Sequence, residues 1–183
     1  MKKAILISIR PEWVARILGG EKIFEIRKTA PKCGLPIDVY IYCTQGRTKV
    51  TLIKHAFDDK YRAGHCVGSN DNEPLNGKVI AKFTLQSLFY VFRNPPSWLD
   101  DWFASKACVT KEEMKKYANG KSVCLWKISD LEVFDEPKEL SDFFSLPETY
   151  HHDHESMVDY YERKEARRLK RAPQSWSYIE VDE

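Results

Sequence analysis

The 183-residue sequence contains no apolar run approaching the roughly 18 to 20 residues that span a bilayer. Its first residues, MKKAILISIRPEW, place two lysines before six apolar or small residues, with no small-residue cleavage site behind them. That is too short for a signal-peptide core, so a cytoplasmic protein without membrane contact is expected. An excess of one charge is also lacking: 29 Lys and Arg against 27 Asp and Glu leave a formal +2. Such a small net charge excludes long-range steering of nucleic acid by the whole protein. Any affinity of that kind must come from local clusters. None of the five cysteines forms a C-x-x-C pair, which predicts reduced thiols rather than a redox or zinc motif. His65-Cys66 and HHDH at 151–154 lack a partner pair at zinc spacing. No metal and no cofactor is expected, and no G-x-S-x-G, P-loop or dinucleotide fingerprint is present.

Aromatics, by contrast, are plentiful at 13%, with five Trp and nine Tyr. They can fill a core or offer faces for stacking bases. AILISI at 4–9 reads as a strand, and Pro11 opens a short helix whose Trp13, Val14, Ile17 and Leu18 make one apolar stripe. This spacing places Trp13 in the core. Gly19-Gly20 ends the helix, and KIFEIRK follows as a second strand. In IDVYIYCT the alternation sends Ile37, Val39, Ile41 and Cys43 to one side, with Tyr40, Tyr42 and Thr44 on the other. Residues 45–76 are polar, with only VTLIKHAF reading as ordered structure, and are treated as an insertion. A long strand is expected over 77–92, a capping-box helix from Thr110 with Glu113 at its third position, and a strand over 122–134. A helix over 154–172 and a short terminal strand close the chain. Several strands with few short helices point to an α+β mixed barrel in a single domain, 1–183, with a C-terminal helical extension over about 135–183.

Lys22, Glu25 and Arg27 raise the question of function. On a strand Glu25 and Arg27 share a face, with Cα atoms about 6.5 to 7 Å apart, and Lys22 can swing to the same side from the glycine turn. One reading is a solvated strand face with a weak ion pair. The other is a pocket in which Arg27 and Lys22 donate and Glu25 accepts, suited to a base edge or a phosphate. The same trio can activate water, with Glu25 as base and Lys22 stabilising developing charge.

SIRPEWVARILGGEKIFEIRK resembles the signature of the ASCH family, G-x-K-x-x-E-x-R after a short helix, with Gly20, Lys22, Glu25 and Arg27 matching position by position. VYIYCT and GKVIAKFTL resemble the family's next strands, and RAPQSWSYIE is similar to the tails of longer, phage-associated members. The resemblance implies a PUA-like mixed β-barrel with short flanking helices and a cleft over the K-x-x-E-x-R strand. It also implies binding of RNA, single-stranded nucleic acid or a nucleotide-like molecule. Ser8 and Arg10 line that cleft by likeness to the family's S-I-K-P-like opening. Some relatives hydrolyse acylated cytidine with a Lys and a Thr on this strand; here Glu25 holds the Thr position, and the region near Ala107 offers no distant glutamate. Others cut single-stranded RNA, so a metal-independent hydrolase using Lys22 and Glu25 is the alternative. A phage-encoded protein-binding inhibitor, acting through the insertion or the aromatic 95–103 segment, is a third class.

Further ligand contacts are expected from Tyr42 as a base platform, from Thr44 on the same strand face, and from Trp176 near the cleft. On the predicted long helix Arg163, Arg167, Lys170 and Arg171 recur at i, i+4, i+7 and i+8, a basic stripe for the nucleic-acid backbone.

Overall fold

The computed structural model describes residues 2–54, 61–65, 74–91, 97–146 and 157–181. Its organising element is β1 (Lys2–Ile9), whose apolar run is buried on both faces from Ala4 onward. A continuous rather than alternating apolar strand is what a central position requires. It pairs in parallel with β3 (Ile37–Cys43), with Ile7 opposite Ile41, and antiparallel with β9 (Trp176–Val181), with Ile5 opposite Tyr178. In β3 the expected alternation holds, Ile37, Val39, Ile41 and Cys43 being buried and the residues between them only partly so.

Beyond β3 lie the long strands β6 (Val79–Val91) and β7 (Val123–Lys138), then the short edge strand β2 (Phe24–Arg27). The other edge is β8 (Phe144–Ser145), beside β9. The seven strands run β2-β7-β6-β3-β1-β9-β8. The fold is α+β as expected, but the sheet is open rather than a closed barrel. β2 has four residues and β8 two, and each backbone ladder ends there. Three register shifts between β6 and β7 bend the sheet. It curls far enough for Arg27 of the β2 edge to hydrogen-bond the Ser8 carbonyl of β1. Side chains bridge where backbone pairing does not.

The helices are short. α1 (Pro11–Leu18) starts on a proline and ends at Gly19-Gly20, where Gly20 takes φ +75°, a conformation glycine adopts freely. Its Val14, Ala15, Ile17 and Leu18 join the main core with Ile5, Ile7, Val39 and Ile41. α2 (Ser97–Lys106) and α3 (Lys111–Ala118) cover a second cluster built on Phe24, Phe103, Met114 and Leu125. The predicted capping box is present: Thr110 Oγ1 accepts from the Glu113 amide at 3.1 Å, and Glu113 Oε2 accepts from the Thr110 amide at 2.8 Å.

Two expectations about the later chain need correction. The segment 45–76 contains two paired strands, β4 (Val50–Lys54) and β5 (Tyr61–His65), the second carrying no alternation that sequence could reveal. Val50 and Leu75 are buried in the main core, which ties both ends of the segment to the sheet. The last helix, α4, runs only Met157–Ala166. The chain then turns, Leu169 donating to the Phe143 carbonyl at 2.9 Å and packing with Leu6, Phe134 and Ile179. Packing Leu169 there and binding Arg167 to Glu180 takes the chain off the helical path. None of the described helices is long and apolar enough to cross a membrane.

Candidate functional site

Lys22, Glu25 and Arg27 form the floor of a cleft of about 730 Å³. The turn at Gly19-Gly20 delivers Lys22 just before β2, and the strand's alternation sends Phe24 into the second cluster while Glu25 and Arg27 face the cleft. All three are buried, with relative exposures of 3%, 7% and 8%. They are therefore not a solvated strand face.

The carboxylate of Glu25 lies between the two cations. Lys22 Nζ is 3.4 Å from Glu25 Oε2, and Arg27 Nη2 is 3.0 Å from Glu25 Oε1. Lys22 Nζ also donates to the Ala107 carbonyl at 2.8 Å. Arg27 donates from Nη2 to the Ser8 carbonyl at 2.7 Å and from Nη1 to Ser175 Oγ at 3.2 Å. Burial holds the Lys22 ammonium below the ordinary lysine value, with the Glu25 carboxylate opposing that shift. Two positive groups and one negative leave the floor with a net positive charge. Its chemistry favours a ligand rich in acceptors or carrying an anion.

The walls come from other parts of the chain. Ser8 and Ile9 end β1 and Arg10 follows it, Trp13 lies on α1, Thr44 follows β3, Glu113, Met114 and Tyr117 lie on α3, and Gln174 and Ser175 precede β9. The last segment is strapped to β1: Ser8 N donates to the Ser175 carbonyl at 2.9 Å and Ser8 Oγ to the Pro173 carbonyl at 2.6 Å.

Of the residues singled out in sequence, Ser8, Arg10, Lys22, Glu25, Arg27 and Thr44 line this cleft together. Tyr42 does not. It packs against the third cluster beside Leu6 and Val79, because the face of β3 opposite Cys43 is covered by Phe134 and Phe143 rather than open. Trp176 stacks edge-on with Trp126 at 5.5 Å and Tyr178 at 5.4 Å. Its indole N–H donates to Thr29 Oγ1 at 3.1 Å, so it supports a wall residue instead of forming one. The basic stripe does not assemble, since α4 ends before Arg167. Arg167 Nη1 is bound to Glu180 Oε2 at 2.6 Å and to the Ser145 carbonyl at 2.7 Å. Arg163 remains on α4, and Lys170 and Arg171 are exposed on the turn beyond it.

Sequence reasoning missed Trp13, Tyr117 and Glu113. Trp13 packs against the main core as its helical spacing predicts, but it is only half-buried and also lines the cleft, with Lys22 Nζ 5.4 Å from its ring centre. Glu113 and Tyr117 are four apart on one helix, a spacing that puts them on a common face, but nothing local said that the face bounds a cleft. Burial pushes the Cys43 thiol up to about 12 and the Cys124 thiol to about 11, so both are inert core groups at neutral pH. Among the described residues no group of three or more His, Cys, Asp or Glu could hold a metal ion. Cys66 and HHDH at 151–154 lie outside the described residues.

No protein-family model matches the chain, and no curated protein matches it in sequence. Solved structures do match. A tyrosine-to-phenylalanine mutant of the ASCH protein from Zymomonas mobilis superposes with a TM-score of 0.57 at 16% identity, covering 98% of this chain and 91% of that one. The unsubstituted Zymomonas mobilis ASCH protein gives 0.56 at 16% identity, over 97% and 87% of the two chains. A serine-to-alanine mutant gives 0.56 at 16%, over 97% and 88%. The chain shares the fold of these ASCH structures.

Proposed function

We propose that the cleft binds RNA or a nucleotide through a base or phosphate group held by Lys22, Glu25 and Arg27. The observation that carries this is the buried triad itself. Two cations and one carboxylate are desolvated on the floor of an open cleft, where a stability role alone would be better served by apolar side chains. The fold it shares with ASCH proteins supports the same reading. The exposed Lys170 and Arg171, three and two residues before Pro173, would meet phosphates leaving the cleft. Arg167, committed to Glu180, would not.

Polarisation titrations with RNA, single-stranded DNA and nucleotides at low salt test the reading. Binding weakened tenfold or more by Lys22→Ala or Arg27→Ala, with unchanged circular dichroism, supports it. No binding by the wild type, or unchanged binding by folded variants, overturns it.

A second reading rests on one further observation: burial lowers the Lys22 pKa beside a carboxylate at 3.4 Å. Such a pair is suited to proton transfer, and a metal-independent hydrolase of RNA or a modified nucleoside would use it. Long incubation with labelled RNA and with acylated cytidine, comparing wild type with Glu25→Gln, distinguishes turnover from binding alone.

A further inference from the structure

We infer that Trp13 and Tyr117 are stacking walls for one unpaired base of a single-stranded RNA, which enters the cleft with its edge toward the charged floor. This rests on the reading of the cleft as a nucleic-acid site and adds to it the two residues that hold the base.

Four observations carry it. First, both rings line the cleft, and they come from separate helices, Trp13 from α1 and Tyr117 from α3. Second, each ring keeps open surface: Trp13 packs against the main core but is only half-buried, and Tyr117 is 40% exposed. Aromatic surface left open beside a charged floor can stack a base. Third, a lysine accompanies each ring, Lys22 Nζ at 5.4 Å from the Trp13 centroid and Lys28 Nζ at 5.0 Å from that of Tyr117. Cations at this range mark electron-rich faces, and Lys28, on the exposed side, lies where a strand's phosphate would need a counter-charge. Fourth, about 730 Å³ falls within the roughly 300 to 1,000 Å³ of small-molecule sites. Such a space admits a nucleotide and excludes a duplex, so a base must leave its stack to reach the triad.

The division of labour then follows from the side chains. Stacking needs only a π-face and supplies affinity for any base. The floor, with donors on Lys22 and Arg27 and an acceptor on Glu25, reads the edge. Exposed Arg10 and Lys28 on the rim meet the flanking phosphates.

The test compares a labelled single-stranded RNA octamer, the same octamer in a duplex, nucleoside monophosphates and ribose 5-phosphate. It uses wild type, Trp13→Ala, Trp13→Phe, Tyr117→Ala and Tyr117→Phe. The expected result is tenfold or greater loss of octamer affinity in each alanine variant, with Tyr117→Phe within about twofold of wild type. Duplex and ribose 5-phosphate should bind at least tenfold more weakly than the octamer and the monophosphates. Quenching of tryptophan fluorescence on binding should be reduced in Trp13→Phe. Should Trp13→Ala not fold, Trp13→Phe and the exposed Tyr117 pair decide the matter. If wild type binds the octamer but tolerates Tyr117→Ala, or binds ribose 5-phosphate equally well, the stacking inference fails while the cleft's nucleic-acid reading survives. If wild type binds none of the probes, both fall.

Discussion

Arg27 of the edge strand reaches Ser8 of the central strand, its Nη2 donating to the Ser8 carbonyl at 2.7 Å while lying 3.0 Å from Glu25 Oε1. One guanidinium thus joins the charged floor to the sheet on the far side of the cleft. The anion between Lys22 and Arg27 is therefore structural as well as chemical, and the consequences of removing it can be stated.

Glu25→Gln should leave Lys22 and Arg27 facing each other across a neutral amide, with both cations still buried. Breaking a buried pair in this way costs about 3 to 5 kcal/mol. Urea denaturation should show that loss, and Lys22→Met in the same background should recover part of it. A variant as stable as wild type would mean that water already solvates the triad.

The lowered Lys22 pKa fixes a sign. Between its native value and the unfolded one, near 10.4, the unfolded chain binds more protons, so this residue's contribution to stability rises with pH across that window. The stability of wild type minus that of Lys22→Met should increase from pH 7 to pH 9.5 in urea melts. Ligand affinity should move the opposite way, falling as the ammonium is lost, whereas Lys22→Arg, if folded, should show a flat profile. A difference in stability that declines with pH would contradict the burial argument.

Ser8→Ala removes the Oγ donor to the Pro173 carbonyl and keeps the amide bond to Ser175. A loss of about 1 kcal/mol is expected. Hydrogen exchange should quicken at residues 174–177 and remain unchanged in α2. Uniform acceleration everywhere would show that the strap is not a separate unit.

Thr110→Ala opens the capping box that begins α3. The expected fall in melting temperature is about 2 to 4 °C. Because α3 carries Glu113 and Tyr117 into the wall, affinity should drop with it, and Thr110→Ser should restore both. Melting and titration on the same three proteins check this.

Much of this was legible because local chemistry decided it. AILISI had to be a buried strand, Pro11 and the paired glycines bounded α1, and the two-residue period of Glu25 and Arg27 put them on one face. The capping box needed only Thr110 and Glu113. What could not be read depended on partners distant in sequence. Trp13 has the spacing of a core residue and packs as one; that it also lines a cleft shared with α3 is visible only in the fold. Tyr42 has the register of an open face until Phe134 and Phe143 cover it. The stripe through Arg167 looked continuous because helix propensity ignores the pull of Glu180 on one arginine and of the third cluster on Leu169. The open sheet was hidden for a similar reason, since four-residue β2 can be read as a strand but not as an edge.

The Ser8–Pro173 and Arg27–Ser175 bonds span 165 and 148 positions. A nascent polypeptide still short of Pro173 therefore carries every charge of the triad yet lacks the wall that encloses it. On the proposed reading, ligand binding would begin only after the ribosome has added the last strand, so binding in a translation mixture should lag behind the appearance of the N-terminal half.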